Sequence, residues 1–109
     1  MAFSENLAAR IRGELGGIPG LIEKKMFGGV AFMLLGNMAV GVIGDDMMVR
    51  VGPERHAEAL AMEHARPFDM TGRPMAGWVV VARTGLENEA SFQEWVRWGV
   101  DYALSLPPK

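Results

Sequence analysis

Met26-Phe27-Gly28-Gly29-Val30-Ala31-Phe32-Met33-Leu34-Leu35-Gly36-Asn37-Met38-Ala39-Val40-Gly41-Val42-Ile43-Gly44 is the stretch on which the fold turns. It carries no charge and is as long as the ~19-residue window of a membrane-spanning helix. Gly28, Gly29, Gly36, Asn37, Gly41 and Gly44 interrupt it, and Gly36-Asn37 between two apolar runs is a hairpin signal. Two strands are therefore predicted, Val30 to Leu35 and Met38 to Ile43. Working outward, Met47 to Val51 reads as a further strand after a turn at Asp45-Asp46, and Glu23-Lys24-Lys25-Met26-Phe27 reads as extended. Together these segments make an antiparallel meander.

Strand parity then assigns faces. With Gly36-Asn37 as a two-residue loop, Leu35 lies opposite Met38. Ala31, Met33, Leu35, Met38, Val40, Val42, Met47, Val49 and Val51 fall on one side; Val30, Phe32, Leu34, Ala39, Gly41, Ile43, Met48 and Arg50 fall on the other. A bulge would invert part of this assignment. Both sides are mostly apolar, whereas an antiparallel sheet with one wet face alternates apolar with polar. A sheet covered on both faces, or one with an exposed apolar patch, is expected. The simplest second cover is another copy of the chain, so a homodimer is expected. The competing arrangement lays the first or the last helix across the second face and leaves no binding site.

The flanks supply the helices. Ser4 can cap a helix with Leu7, Ala8, Ile11 and Leu15 at helical spacing, ended by Gly16-Gly17 and Pro19-Gly20. Gly52-Pro53-Glu54 starts a second helix running to about Met62, with Ala57, Leu60 and Ala61 inward. Arg66 to Met70 reads as a short strand, Thr71-Gly72-Arg73-Pro74 as a turn, and Gly77 to Ala82 as a strand. Ser91-Phe92-Gln93-Glu94 has capping-box spacing ahead of a final helix lined by Phe92, Trp95, Val96, Gly99, Ala103 and Leu106, which Pro107-Pro108 ends. The order is helix, three or four strands, helix, two strands, helix. Strands in runs imply an α+β sandwich with an antiparallel sheet, not a Rossmann-like one.

Composition limits the function. The 109 residues fit one domain, half of them are hydrophobic and 22% charged, which excludes a disordered chain. Eleven basic against thirteen acidic residues, net −2, give no global attraction to nucleic acid. With no cysteine there is no disulfide or thiolate metal site, and the N-terminus, broken by Arg10, Arg12 and Glu14, lacks the core of a secretory signal. A cytoplasmic protein is expected.

Catalytic and metal chemistry find little to work with. His56 and His64 are about two helical turns apart, too far for a zinc pair on adjacent turns, and no third ligand is evident; both are expected on the surface of the second helix. Asp45-Asp46 is ordinary turn chemistry, and Gly16-Gly17 and Gly28-Gly29 do not lead into a helix as a phosphate loop does. Ser4 and Ser91 are claimed by caps, so a serine nucleophile beside a base is hard to assemble. No catalytic residue, metal or cofactor is assigned. The candidate partner-binding residues are Phe32, Met33, Met48, Arg50 and Trp78 on the apolar sheet. The alternative is a nucleic-acid contact through Lys24, Lys25, Arg50 and Arg73, which requires these four to form one positive patch.

The segments Lys25-Met26-Phe27-Gly28-Gly29-Val30-Ala31-Phe32, Met48-Val49-Arg50-Val51-Gly52, Arg66-Pro67-Phe68-Asp69-Met70-Thr71-Gly72-Arg73-Pro74-Met75 and Gly77-Trp78, in that order, resemble the TfoX N-terminal domain family, and the likeness runs on to Ser105-Leu106-Pro107-Pro108-Lys109. The resemblance implies an α+β fold of the secretion-chaperone-like kind and a regulatory association. Full-length members promote competence for DNA uptake by assisting transcription, and carry an additional C-terminal helical domain. This chain stops at Lys109, so a stand-alone domain is expected. The expectation is a small non-enzymatic, homodimeric protein-interaction module, with a nucleic-acid-associated regulator as the alternative.

Overall fold

Ser4 starts the first helix as its side chain predicts: Oγ accepts the Leu7 N–H at 3.1 Å, and α1 (Glu5–Leu15) buries Leu7, Ala8, Ile11 and Leu15. The computed structural model describes residues 3–26, 28–69 and 75–109. Phe27, Arg73 and the predicted turn at 71–74 lie outside them. After α1 come β1 (Leu21–Met26), β2 (Gly29–Leu34), β3 (Asn37–Ile43) and β4 (Asp46–Arg50). A single 3-10 turn (Pro53–Arg55) leads into α2 (His56–Leu60), followed by β5 (Ala65–Pro67), β6 (Trp78–Val81), another 3-10 turn (Arg83–Leu86) and α3 (Glu89–Ser105). Every strand pair is antiparallel, and the sheet order is β1-β2-β3-β4-β6-β5. The chain is thus the expected α+β sandwich. β6 inserts between β4 and the shorter β5.

The helices cover one face only. Against it pack Val30 and Phe32 of β2, Val40 and Val42 of β3, Met47 and Val49 of β4, and Val79 and Val81 of β6, with Ile11, Ala59, Phe92, Trp95 and Val96 from the helices. Each such side chain taken fully from water contributes about 1.5–3 kcal/mol. α3 comes closest where Gly99 meets β3: a Cβ there would stand 2.4 Å from the Ala39 carbonyl oxygen.

Two local features depart from the predicted hairpin, and one of them corrects the faces. The hairpin loop is Leu35-Gly36, not Gly36-Asn37, with Leu34 opposite Asn37 and positive φ at both loop residues, 53° and 88°. That is the turn whose twist matches the flanking strands. Moving the loop by one residue leaves parity unchanged. The inversion comes from a bulge: Phe32 pairs with Val40 but Met33 with Met38, which leaves Ala39 as the extra residue. Ala39 and Val40 consequently both face α3. Phe32 therefore joins Val40 under the helices, while Ala31, Met33 and Met38 share the opposite face with Met48. Beyond the bulge, Val40, Val42, Met47 and Val49 against Gly41, Ile43, Met48 and Arg50 alternate as predicted.

Leu35 sits in a left-handed conformation that costs a non-glycine residue about 1–2 kcal/mol. Its backbone contacts, N–H to the Gly20 carbonyl at 3.1 Å and C=O from the Lys109 N–H at 2.8 Å, do not need its side chain. Leu35→Asn should raise stability by about 0.5–1 kcal/mol, measured by urea denaturation, since Asn-Gly is the preferred pair for this turn.

The helix ends show smaller differences. α3 is capped by Asn88, whose Oδ1 accepts the Ser91 N–H at 3.0 Å; Ser91 itself donates its hydroxyl to the Gly85 carbonyl at 3.1 Å. α2 stops at Leu60, so His64 lies past the helix, with φ of 73°. The buried Asn37 donates Nδ2 to the Pro107 carbonyl at 2.9 Å and ties the residues after α3 to the hairpin.

Candidate interaction surface

The sheet face away from the helices holds most of the side chains that the sequence singles out. Met33, Met48, Arg50 and Trp78 lie on it together; Phe32, fully buried on the other face, does not. The register explains the grouping. Met48 stands opposite Val80 and Arg50 opposite Trp78, while Met33 stands between Ile22 of β1 and Met38 of β3. Ile22, which the sequence reading leaves out, belongs to the same face because it pairs with Met33. The signal was obscured by Glu23-Lys24-Lys25, which makes β1 look polar.

This face is less bare than the sequence suggests. Phe68, just after β5, folds onto it and packs with Ala31, Met38, Met48 and Val80. Its ring lies 5.9 Å from that of Trp78, tilted by 49°. The middle of the second face is therefore hidden by the chain itself, through the Phe68 segment and neither by a helix nor by the second copy expected as its simplest cover. What stays open is the rim: Ile22 is 63% exposed, and Met33, Ile43, Arg50 and Trp78 are half-buried. At that rim the Arg50 guanidinium lies 5.4 Å from the Trp78 ring centroid and 5.5 Å from that of Tyr102, which fixes a cation between two aromatic rings. Arg50 forms no ion pair among the described residues.

The basic residues do not gather. Lys24 and Lys25 are consecutive in β1, so they point to opposite faces. Arg50, three strands away, is about 15 Å from Lys24 at the usual strand spacing, and Arg73 lies outside the described residues. Other cations are engaged. Arg12 of α1 grips Glu23 through two hydrogen bonds, one of 3.0 Å, and this contact raises the Arg12 pKa above its ordinary value. Arg66 meets Asp46 at 2.8 Å, and the other oxygen of Asp46 accepts the Arg83 N–H at 3.1 Å. Asp46 thus pins β5 and the end of β6 to β4, as a turn carboxylate can.

A hollow of about 350 Å³ lies between α2 and α3. Trp95 and Trp98 stack there at 5.3 Å, and the Arg55 guanidinium covers Trp98 at 4.2 Å. Arg55 also bonds Glu58 through both carboxylate oxygens, at 3.1 and 2.8 Å. Those bonds lower the Glu58 pKa and raise that of Arg55. Glu94, Arg97 and Asp101 also line the hollow and enter no ion pair among the described residues. Of the two histidines expected at the surface, His64 is exposed, with Nδ1 3.2 Å from the Thr84 hydroxyl, while His56 is half-buried with its Nε2 hidden. Among the described residues no three His, Asp or Glu side chains converge to hold a metal, and no helix is long and apolar enough to cross a membrane.

A search of the curated proteins finds no match. A family model does match: the TfoX N-terminal domain, over residues 14–103. That span runs from the end of α1 into the last turn of α3 and takes in the whole sheet, including the bulged hairpin and the Phe68 segment. The chain belongs to the TfoX N-terminal domain family.

Proposed function

We propose that this domain is a non-enzymatic protein-interaction module whose docking surface is the rim of the second sheet face, with a second copy of the chain as its partner. The observation that carries the reading is the placement of Ile22, Met33, Arg50 and Trp78 on one sheet face, around the Phe68 segment and open at the β1 end. Apolar side chains beside an aromatic-flanked arginine are the residue types that anchor protein interfaces. The chemistry elsewhere supports a binding role: Ser4 accepts at a cap, Ser91 donates to a carbonyl, and Glu23, Asp46, Glu58 and Glu89 are paired with arginines. By family resemblance, the interaction has a regulatory role in the cell.

Sedimentation at rising protein concentration tests this. The native chain should shift toward twice its monomer mass, and Met33→Glu should give a folded monomer, with self-association weakened by about tenfold or more, since a carboxylate would enter an apolar contact. A native chain that remains monomeric at the highest concentration rules out the second copy as partner.

A further inference from the structure

The outer edge of β1 carries a feature of its own. β1 is the terminal strand of the sheet, and Ile22, Glu23, Lys24 and Lys25 are all exposed. The Gly20 carbonyl accepts the Leu35 N–H from the β2–β3 hairpin. By the alternation of an antiparallel ladder, Ile22 and Lys24 then direct their N–H and C=O groups toward β2, and Glu23 and Lys25 direct theirs outward. Among the described residues no strand receives them. Leu21 is different, because its N–H bonds the Ile18 carbonyl at 3.3 Å. The open backbone therefore begins at Glu23.

Charge distinguishes this edge from the rest of the molecule. Glu23 is held by Arg12, whereas Lys24 and Lys25 enter no ion pair among the described residues. Both lysines line a hollow of about 290 Å³ with Arg12, Glu23, Glu5 and Phe3, where three cations face two carboxylates. The edge is thus positive on a chain whose net charge is −2. Because strand neighbours point to opposite faces, an added strand would meet one lysine above its plane and one below. A second copy of β1 fits poorly, since in the register that sets its Glu23 against Lys25 it also sets Lys24 against Lys24, and Glu23 is already held by Arg12.

We propose that β1 is a docking edge for an extended acidic segment of another protein, which adds as a further antiparallel strand with adjacent carboxylates opposite Lys25 and Lys24 and an apolar residue opposite Ile22. The backbone groups of Glu23 and Lys25 supply affinity, and the two lysines supply the choice of partner. This site shares Ile22 with the second-face contact but binds through the strand's edge and the two lysines, which that contact does not use.

The test is calorimetric titration with a short synthetic peptide of alternating valine and threonine carrying two adjacent central glutamates, beside a control with lysines in their place. Only the glutamate peptide should bind, and more weakly as salt rises. Bound peptide should protect the Glu23 and Lys25 amides from hydrogen exchange. Lys24→Glu combined with Lys25→Glu should weaken binding by about tenfold or more, with the fold intact because both residues are exposed. No binding, equal binding of the two peptides, binding without amide protection, or indifference to the double substitution would each overturn the proposal; the lysines would then serve only to keep sheet edges apart. A preference for single-stranded DNA over the glutamate peptide would overturn it in favour of a nucleic-acid contact. Met33→Glu should leave the titration unchanged, so the two surfaces fail independently.

Discussion

Phe32→Glu should leave the protein without a cooperative unfolding transition, while Met33→Glu, one residue along the same strand, should retain one. Phe32 is fully buried beneath the helices, among Val30, Val40 and the α3 side chains. A carboxylate there either stays charged without a partner or takes up a proton, and it also leaves the space of the lost ring. Loss of the phenyl packing alone is worth about 3–5 kcal/mol, and burial of the unpaired polar group adds several more. The sum reaches the whole stability of an ordinary domain, about 5–15 kcal/mol. Met33 lies on the half-buried rim of the other face, where a carboxylate keeps contact with water. Its effect on stability should be about 1 kcal/mol. Circular dichroism melts of the two variants read the difference directly. Two unfolded variants would mean that both faces are equally core; two folded ones would contradict the bulge.

The second large effect is expected at Gly99. A Cβ at this position would approach the Ala39 carbonyl oxygen to 2.4 Å and Val40 Cγ1 to 2.7 Å. Neither neighbour moves easily: one is backbone in the bulge of β3, and the other is a branched side chain at the centre of the sheet. Gly99→Ala must therefore lift α3 from the sheet, and overpacking of this kind costs about 1–3 kcal/mol despite the better helix propensity of alanine. Chemical denaturation of the variant should show a lower midpoint with an unchanged slope. In an exposed helix the same substitution would stabilise by up to ~1 kcal/mol, so the sign of the change reports the contact.

The element order and the class of fold were legible because periodicity changes cleanly along the chain, from the helical spacing of Leu7, Ala8, Ile11 and Leu15 to the apolar runs of the meander and back at Phe92, Trp95, Val96 and Gly99. The bulge was not. Nothing in Met38-Ala39-Val40 marks Ala39 as the residue without a partner, since its small side chain is tolerated on either face and is chosen by the close approach of α3. The hairpin loop was misplaced by one residue for a related reason: Leu35 is a poor residue for positive φ, and propensity favours Gly36-Asn37, but Asn37 is drawn into the strand by its bond to Pro107. Long-range contacts decided both positions. Met48, Arg50 and Trp78 were legible as one group because their pairing lies beyond the bulge, whereas Met33 joins their face only through the bulge. Phe32 was lost to the bulge, and Ile22 was hidden by its charged neighbours, of which Lys24 shares its face.

The insertion of β6 between β4 and β5 has a kinetic consequence. β1 to β4 join partners that follow one another along the chain, whereas β5 touches the sheet only through a strand made after it. Contacts close in sequence form faster than distant ones, so the four-stranded ribbon is expected to precede β6, with β4 as its open border until β6 docks. During that interval Met47 and Val49 present unsatisfied backbone to any neighbouring molecule. Docking of Trp78–Val81 ends the exposure, which makes the arrival of β6 the step that separates productive folding from aggregation.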